Sequence, residues 1–352
     1  MSNSTIQKRK KTSIGGQALI EGIMMRGPEV TSMAVRHRSG VIVTEQWVTK
    51  TSTNPIRKWA FVRGVLNMVS SMAIGYKTLM RSAELSGLDD DDDVAECDVL
   101  PAVETTDISD ECEVSEAVET IEAVQPAAVV PTKQQKKGEK ILFTVVMVLS
   151  VLLGVALAVG LFMVLPTFLY GLITRYLLPA LEDNRWTKSI FEGFLRIALF
   201  IGYVSIVSLM KDIKRVFMYH GAEHKSIFCY EAGEELTVEN VRKQSRFHPR
   251  CGTSFMVLML IVGIITSLFI PPDLVGWLRI CIKLATLPLV VGIGYELIKL
   301  AGRKDNWFTR AISVPGMWVQ RITTKEPDDG MIECAIQALN LVIPEDKESD
   351  NW

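Results

Sequence analysis

The stretch ILFTVVMVLSVLLGVALAVGLFMVLPTFLYGLIT, residues 141–174, decides the fold class: it runs for 34 residues without a charge, and about 20 apolar residues suffice to cross the hydrocarbon core of a bilayer. One span is expected within it, over about 141–165, ending near Leu165-Pro166. Working outward, residues 251–272 form a second uncharged run of 22 that stops at Pro271-Pro272-Asp273, which predicts a span over 252–271. Two further candidates carry charges: 190–210 contains Glu192 and Arg196, and 276–298 contains Arg279, Lys283 and Glu296. The i,i+4 spacing lets Glu192 and Arg196 pair along one helix face. Intramembrane charges are functional by default, although four spans without an inverted repeat speak against a transporter. The chain reads as an α-helical multi-pass membrane protein with about four transmembrane helices, in keeping with a mean hydropathy of +0.23.

The formal charge of −2 over 352 residues hides two unequal parts. Residues 82–132 carry 16 acids and no Lys or Arg, so the remainder holds 24 acids against 38 bases, a net of +14. The acidic segment includes five consecutive aspartates, 89–93, and is too poor in large apolar residues to fold alone, so 88–132 reads as a disordered linker. The basic remainder is no nucleic-acid signature. Eight of its bases fall in the loop 211–251, against three in 174–188 and one in 271–279. By the positive-inside rule this loop and both termini are cytoplasmic, where the bases meet anionic headgroups. Lys8-Arg9-Lys10-Lys11 leads into Ile14-Gly15-Gly16-Gln17 rather than an apolar core, so no secretory signal is expected. The six cysteines show no paired spacing and are expected as reduced thiols.

Residues 1–87 read as a small cytoplasmic module that contains β-structure. Ala18, Ile20 and Met24 alternate against Glu21 and Met25, Gly27-Pro28 marks a turn, and a hairpin folds at Arg38-Ser39-Gly40, with Met33, Val35, Val41, Val43 and Trp47 on a packed face. Asn54-Pro55 starts a helix that runs to about Leu85-Ser86-Gly87 and lies in the membrane interface or covers the sheet. The membrane domain then occupies 133–300 and a cytoplasmic tail 301–352. In the tail, 307–319 is apolar enough to lie along the membrane, and 328–342 is an amphipathic helix carrying Met331, Cys334, Ile336, Leu339 and Val342.

Three of the four histidines, His220, His224 and His248, fall within 29 residues of the central loop. HGAEH, residues 220–224, places two imidazoles one helical turn apart on one face, the spacing with which both can hold one ion. Glu223 beside them can serve as a general base toward a metal-activated water. His248 and Cys251 add an imidazole and a thiolate just before the third expected span. Three protein ligands with water suit a catalytic zinc, and four protein ligands a structural one; the spacing leaves both open. It also demands either a break near Lys211-Asp212 or a slanted helix lying on the membrane surface, because a straight continuation of the second span would carry His224 roughly 21 Å past the membrane edge at which Cys251 sits. Glu21 and Arg26 form a weaker candidate polar site at a glycine-rich strand edge, against the plain alternative of a surface ion pair. Glu326, Asp328 and Asp329 read as helix-terminal charges.

The segments GGQALIEGIMMRGP (15–28), YHGAEHK (219–225), HPRCGTSF (248–255) and PGMWVQRITTKEPDD (315–329) resemble the YqhQ-like bacterial membrane protein family, domain of unknown function 1385. The similarity covers nearly the whole chain apart from the acidic insert. Members are often labelled metal-dependent enzymes, so the resemblance implies a bacterial inner-membrane location and assigns His220, Glu223, His224, His248 and Cys251, with Glu21 and Arg26, as the motif positions. The functional expectation is a metal-dependent, hydrolytic membrane enzyme with a divalent cofactor, zinc favoured, acting on a lipid or membrane-associated peptide. The alternative is a non-catalytic scaffold or biogenesis factor in which the same residues hold a structural ion or none.

Overall fold

Ile20 and Glu21 alone separate two five-residue strands, β1 (Gly15–Leu19) and β2 (Gly22–Arg26), and a two-residue hairpin turn asks for positive φ. Glu21 supplies it at φ 50°, the one non-glycine residue with positive φ among those described. β3 (Val30–Arg36) follows a short turn, closed by the Gly27 N–H donating to the Val30 carbonyl at 2.8 Å, and β4 (Ile42–Val48) follows the expected hairpin, where Gly40 takes φ 87°. The four strands form an antiparallel meander in the order β1-β2-β3-β4, with Met24 opposite Met33 and Val35 opposite Val43. In this computed structural model the described residues are 11–49, 59, 62–87, 137–179, 185–271, 274–303, 306–345 and 349–350. The expected helix start at Asn54-Pro55 and the acidic linker fall outside them.

Both faces of the sheet are covered, not one. Strand alternation sends Leu19, Met24, Met33 and Val35 to a face on which Trp47 and the helix α1 (Val62–Ser86) pack through Ile74, Leu79 and Leu85. It sends Ile23, Met25 and Ala34 to the other face, against α5 (Lys211–Glu231) and α11 (Asp329–Asn340). Met25 is therefore buried, and Val41, expected on the packed face, is 62% exposed beside the turn. Sheet, α5 and α11 come from three separate stretches of chain and share one core. α11 is the expected amphipathic helix: Asp328 caps it by accepting from the Met331 N–H at 2.8 Å, and Met331, Cys334, Ala335, Ala338 and Leu339 are buried. α1 has a second role at its other end, where Arg63 pairs with Glu296 and Asn67 donates to the Tyr295 hydroxyl at 2.9 Å.

The chain divides into two units, Met1–Asp90 with Ala158–Trp352, and Asp91–Leu157. Among the described residues, two helical stretches are long and apolar enough to cross a membrane, or three if a bent pair counts as one: 29 residues over Val148–Tyr176 and 22 over Trp186–Val207. The first corrects the expected end at Leu165-Pro166. α2 (Lys137–Val159) passes through a π-turn, Gly160–Val164, into α3 (Leu165–Tyr176), with Pro166 in the first turn of α3. Proline strips the carbonyl four residues back of its N–H partner, and here the Phe162 carbonyl accepts from Arg196 Nε at 2.9 Å. The expected fourth span is a bent pair, α8 (Gly276–Ala285) and α9 (Leu287–Arg303), angled by 40°. Pro288 begins α9, where its missing N–H costs nothing. α7 (Gly252–Ser267), expected as the third span, has 16 residues, about 24 Å of helix against a hydrocarbon core of about 30 Å. α10 (Trp307–Thr323) buries Ser313, Gly316 and Gln320 and packs on α7 at Ser254, so it is more than a surface helix.

Candidate metal centre

Of the two arrangements that the spacing of the histidines allows, the break is present. α4 (Arg185–Val207) ends in a turn, and Met210 is extended (ψ 136°) immediately before α5. α5 can therefore lean on the sheet and, through the short helix α6 (Val238–Lys243), the chain returns so that HGAEH meets the start of α7. Gly221 makes the approach of the following segment possible: a Cβ there would overlap the Lys325 carbonyl oxygen. That segment is tied down by the Lys325 N–H donating to Phe217 O at 2.8 Å and by Lys225 pairing with Glu326 at 2.5 Å.

Within this frame His220 Nδ1 lies 2.9 Å from the Thr323 carbonyl oxygen, and His224 Nδ1 lies 2.5 Å from that of Arg246. A carbonyl only accepts, so in both rings Nδ1 carries a proton, which leaves Nε2 as the nitrogen free to face Cys251 or, once deprotonated, a metal. His220 Nε2 is 3.2 Å from Cys251 Sγ, the two imidazole centroids are 4.5 Å apart, and one donor atom each from His220, His224 and Cys251 falls within 4.8 Å of the others. For comparison, a tetrahedral zinc site with its usual bond lengths places nitrogen and sulfur about 3.6 Å apart. Cys251 is the N-cap of α7, where its sulfur accepts from the Thr253 N–H at 3.4 Å and the helix end favours a thiolate.

The electrostatics agree with that placement. Burial alone would push the Cys251 thiol up, but the charges of His224 and His220 and hydrogen bonds from both rings bring it well below its ordinary value. Burial would lower His220, and the opposing Cys251 charge and hydrogen bond raise it to about 9. Burial raises the Glu223 carboxyl above the usual carboxylate range, against the pull of His224 and His220. Burial, then His224 and Arg250, hold His248 well below the ordinary imidazole value.

The remaining sequence candidates divide clearly. Glu223 is buried against Gly16 of β1, whose backbone hydrogen-bonds it, and it shares with His220, His224 and Cys251 the wall of a cavity of about 520 Å³. His248 lines the same cavity but stands beside the donor set. Its ring is 5.5 Å from that of His224 and 4.7 Å from Phe228, and its Nδ1 accepts from the Arg250 N–H at 3.3 Å. Glu21 and Arg26 do not make one site. Glu21 pairs with Arg215 at 2.5 Å and accepts from the Tyr219 hydroxyl at 3.3 Å, whereas Arg26 lies at the far end of β2, about 17 Å of strand away, opposite Gly15. Glu326 and Asp329 pair with Lys225 and Arg242. Sequence reading missed Gln320, which clamps His248 by accepting from its N–H at 2.8 Å and donating to its carbonyl at 2.7 Å. It also missed the Thr323 and Arg246 carbonyls. A carbonyl leaves no sequence signal; the helical glycines beside the motifs, Gly221 and Gly316, do.

A family model described as "Protein of unknown function (DUF1385)" matches residues 59–345. A relative described as "Uncharacterized protein YqhQ", from Bacillus subtilis (strain 168), is 33% identical over 332 residues, covering 94% of this chain and 92% of its own length. No solved structure matches.

Proposed function

Because the chain belongs to the DUF1385 family, whose description names no activity, we propose its function from the site: a metal-dependent hydrolase embedded in the bacterial inner membrane, with a divalent cation, zinc by donor set, held by His220, His224 and Cys251. The observation that carries this reading is the convergence of those three donors within 4.8 Å, with both imidazoles oriented by backbone carbonyls. Such outer partners fix the tautomer and raise ligand basicity. Structural zinc sites close with four protein ligands, and catalytic ones keep a position open. Three donors on the wall of a cavity fit the second description, and this favours an enzyme over a scaffold.

A divalent ion held there would supply Lewis acidity and bring the pKa of a coordinated water toward neutrality. Glu223, on the same cavity wall and held in place by burial against Gly16, would be the general base. Cys251 and the two histidines would hold the ion. His248, clamped by Gln320, packs on His224 and shields that side of the site. The substrate is a lipid or a membrane-associated peptide. The basic loop 211–251 and both termini lie on the cytoplasmic side, where that loop's bases set the orientation.

The test is hydrolysis of a panel of acyl esters, phosphomonoesters and short peptides by zinc-loaded full-length protein in detergent. Glu223→Gln is expected to lower turnover by at least ~100-fold, the scale of a lost general base, with metal content unchanged. Equal turnover by Glu223→Gln overturns the catalytic assignment.

A further inference from the structure

Away from the metal centre, α4 and α8 bury four charged side chains against one another. Glu192 is fully buried; Arg279 is 1%, Lys283 6% and Arg196 9% exposed. Glu192 receives Lys283 Nζ at 2.6 Å, Arg196 Nη2 at 3.3 Å and Arg279 Nη2 at 3.8 Å, with the Thr167 hydroxyl at 3.1 Å. One carboxylate thus faces three cations. The expected pairing of Glu192 with Arg196 is present, and Arg279 and Lys283, read from the sequence only as charges within a span, join it. Arg279 Nε and Nη1, both buried, have no hydrogen-bond partner among the described residues. A surplus of two positive charges away from water is costly unless an anion meets it.

Two of these cations, Arg196 and Lys283, form part of the wall of a cavity of about 1140 Å³. The rest of that wall is largely apolar, with Phe200, Phe255, Met259 and Leu260 among its side chains, and it follows one face of α7 from Cys251 to Ser267. This volume exceeds the 300–1,000 Å³ typical of small-molecule pockets. A small inorganic anion would answer the charge and leave the apolar walls empty. A neutral lipid would fill the walls and leave the charge. We propose that the cavity binds an acidic phospholipid, its phosphate paired with Arg196 and Lys283 and its acyl chains laid along α7 toward Phe255. The far end of the cavity is bounded by Arg250 and Cys251, so occupant and metal centre share a wall. The lipid site stands whether or not the metal centre is catalytic.

The test uses delipidated full-length protein in a neutral detergent, with binding read by native mass spectrometry and by thermal shift. The probes are phosphatidylglycerol, phosphatidylcholine with the same chains, and inorganic phosphate. Phosphatidylglycerol is expected to bind one to one, at least tenfold more tightly than phosphatidylcholine, with phosphate giving no shift. Lys283→Gln should erase the preference. Should that variant fail to fold, Gly263→Phe decides: a Cβ at Gly263 meets nothing within 4 Å and the residue lines the cavity, so the ring fills the space without a backbone clash. It is expected to abolish phosphatidylglycerol binding while leaving the melting temperature of the lipid-free protein at or above that of the unmodified chain. Equal affinity for the two lipids, an equal shift with phosphate alone, or undiminished binding by Gly263→Phe would each overturn the proposal.

Discussion

Replacing Gly221 by alanine separates local helix preference from tertiary contact by the sign of its effect. In the interior of α5, Gly→Ala should stabilise by up to about 1 kcal/mol if nothing else changed. The added Cβ, however, overlaps the Lys325 carbonyl oxygen, a backbone atom that cannot rotate away. Relieving the overlap moves the segment after α10 off α5. Two hydrogen bonds go with it, Lys325 N–H to Phe217 O (2.8 Å) and His220 Nδ1–H to Thr323 O (2.9 Å). Overpacking costs about 1–3 kcal/mol and each hydrogen bond about 1 kcal/mol, so after the propensity gain the net loss is about 2–4 kcal/mol. His220 also loses the carbonyl that orients it, and losses of that kind lower metal affinity by about 10–100-fold. The assay pairs thermal unfolding with zinc titration against a competing chelator, with Gly202→Ala as control, a position in α4 where a Cβ meets nothing within 4 Å. The control should be neutral or slightly stabilised. Gly221→Ala as stable as the control, with unchanged zinc affinity, would refute the docking of 323–327 on α5 and the orienting role of Thr323.

Three other substitutions probe separate joints. In Gly16→Ala the new Cβ sits 2.8 and 2.9 Å from Glu223 Cγ and Cδ and 2.9 Å from the Met24 carbonyl oxygen; a loss of about 1–3 kcal/mol with unaltered metal content is expected from thermal unfolding and elemental analysis. His248→Ala should keep its metal, because the ring stands outside the donor set, and loss of metal in a variant that still melts cooperatively would make His248 a ligand. Pro166→Ala should shift stability by less than about 1 kcal/mol, well under the ~3 kcal/mol of an ordinary mid-helix proline, because Arg196 already satisfies the Phe162 carbonyl; a melting shift of the full size would show that Arg196 does not compensate.

The parts of the fold legible in the sequence were those that local pattern controls. The hairpin at Gly40, the helix end at Gly87 and the Asp328-capped helix each follow from period and terminus chemistry within a few residues; the alternation read across 18–25 did not hold, because the turn at Ile20 and Glu21 puts Ala18 on the face of Ile23 and Met25 rather than of Met24. The HGAEH spacing likewise placed His220 and His224 on one helical face and, with Cys251 at the apparent membrane edge, asked for a break near Lys211-Asp212 or a slanted surface helix; the turn lies just ahead, at 208–210. What was hidden depends on partners far along the chain. Pro166 read as a helix end because the group that answers it, Arg196, lies 30 residues on. Glu192 read as half of a pair because Arg279 and Lys283 meet it only when α8 folds back. His248 and Cys251 are equal in sequence as donors, and the choice between them rests on Gln320, from α10, clamping one, and on α7 placing the other at its cap.

The central claim, a metal held by His220, His224 and Cys251, is tested most directly by elemental analysis of the full-length protein purified in detergent without chelators, beside His224→Ala and Cys251→Ala. The account predicts about one equivalent of a divalent metal in the unmodified protein and less than about a tenth in each variant, as expected when one of three first-sphere donors is lost. Less than about a tenth of an equivalent of zinc, iron or manganese in the unmodified protein, before and after incubation with zinc, would contradict it.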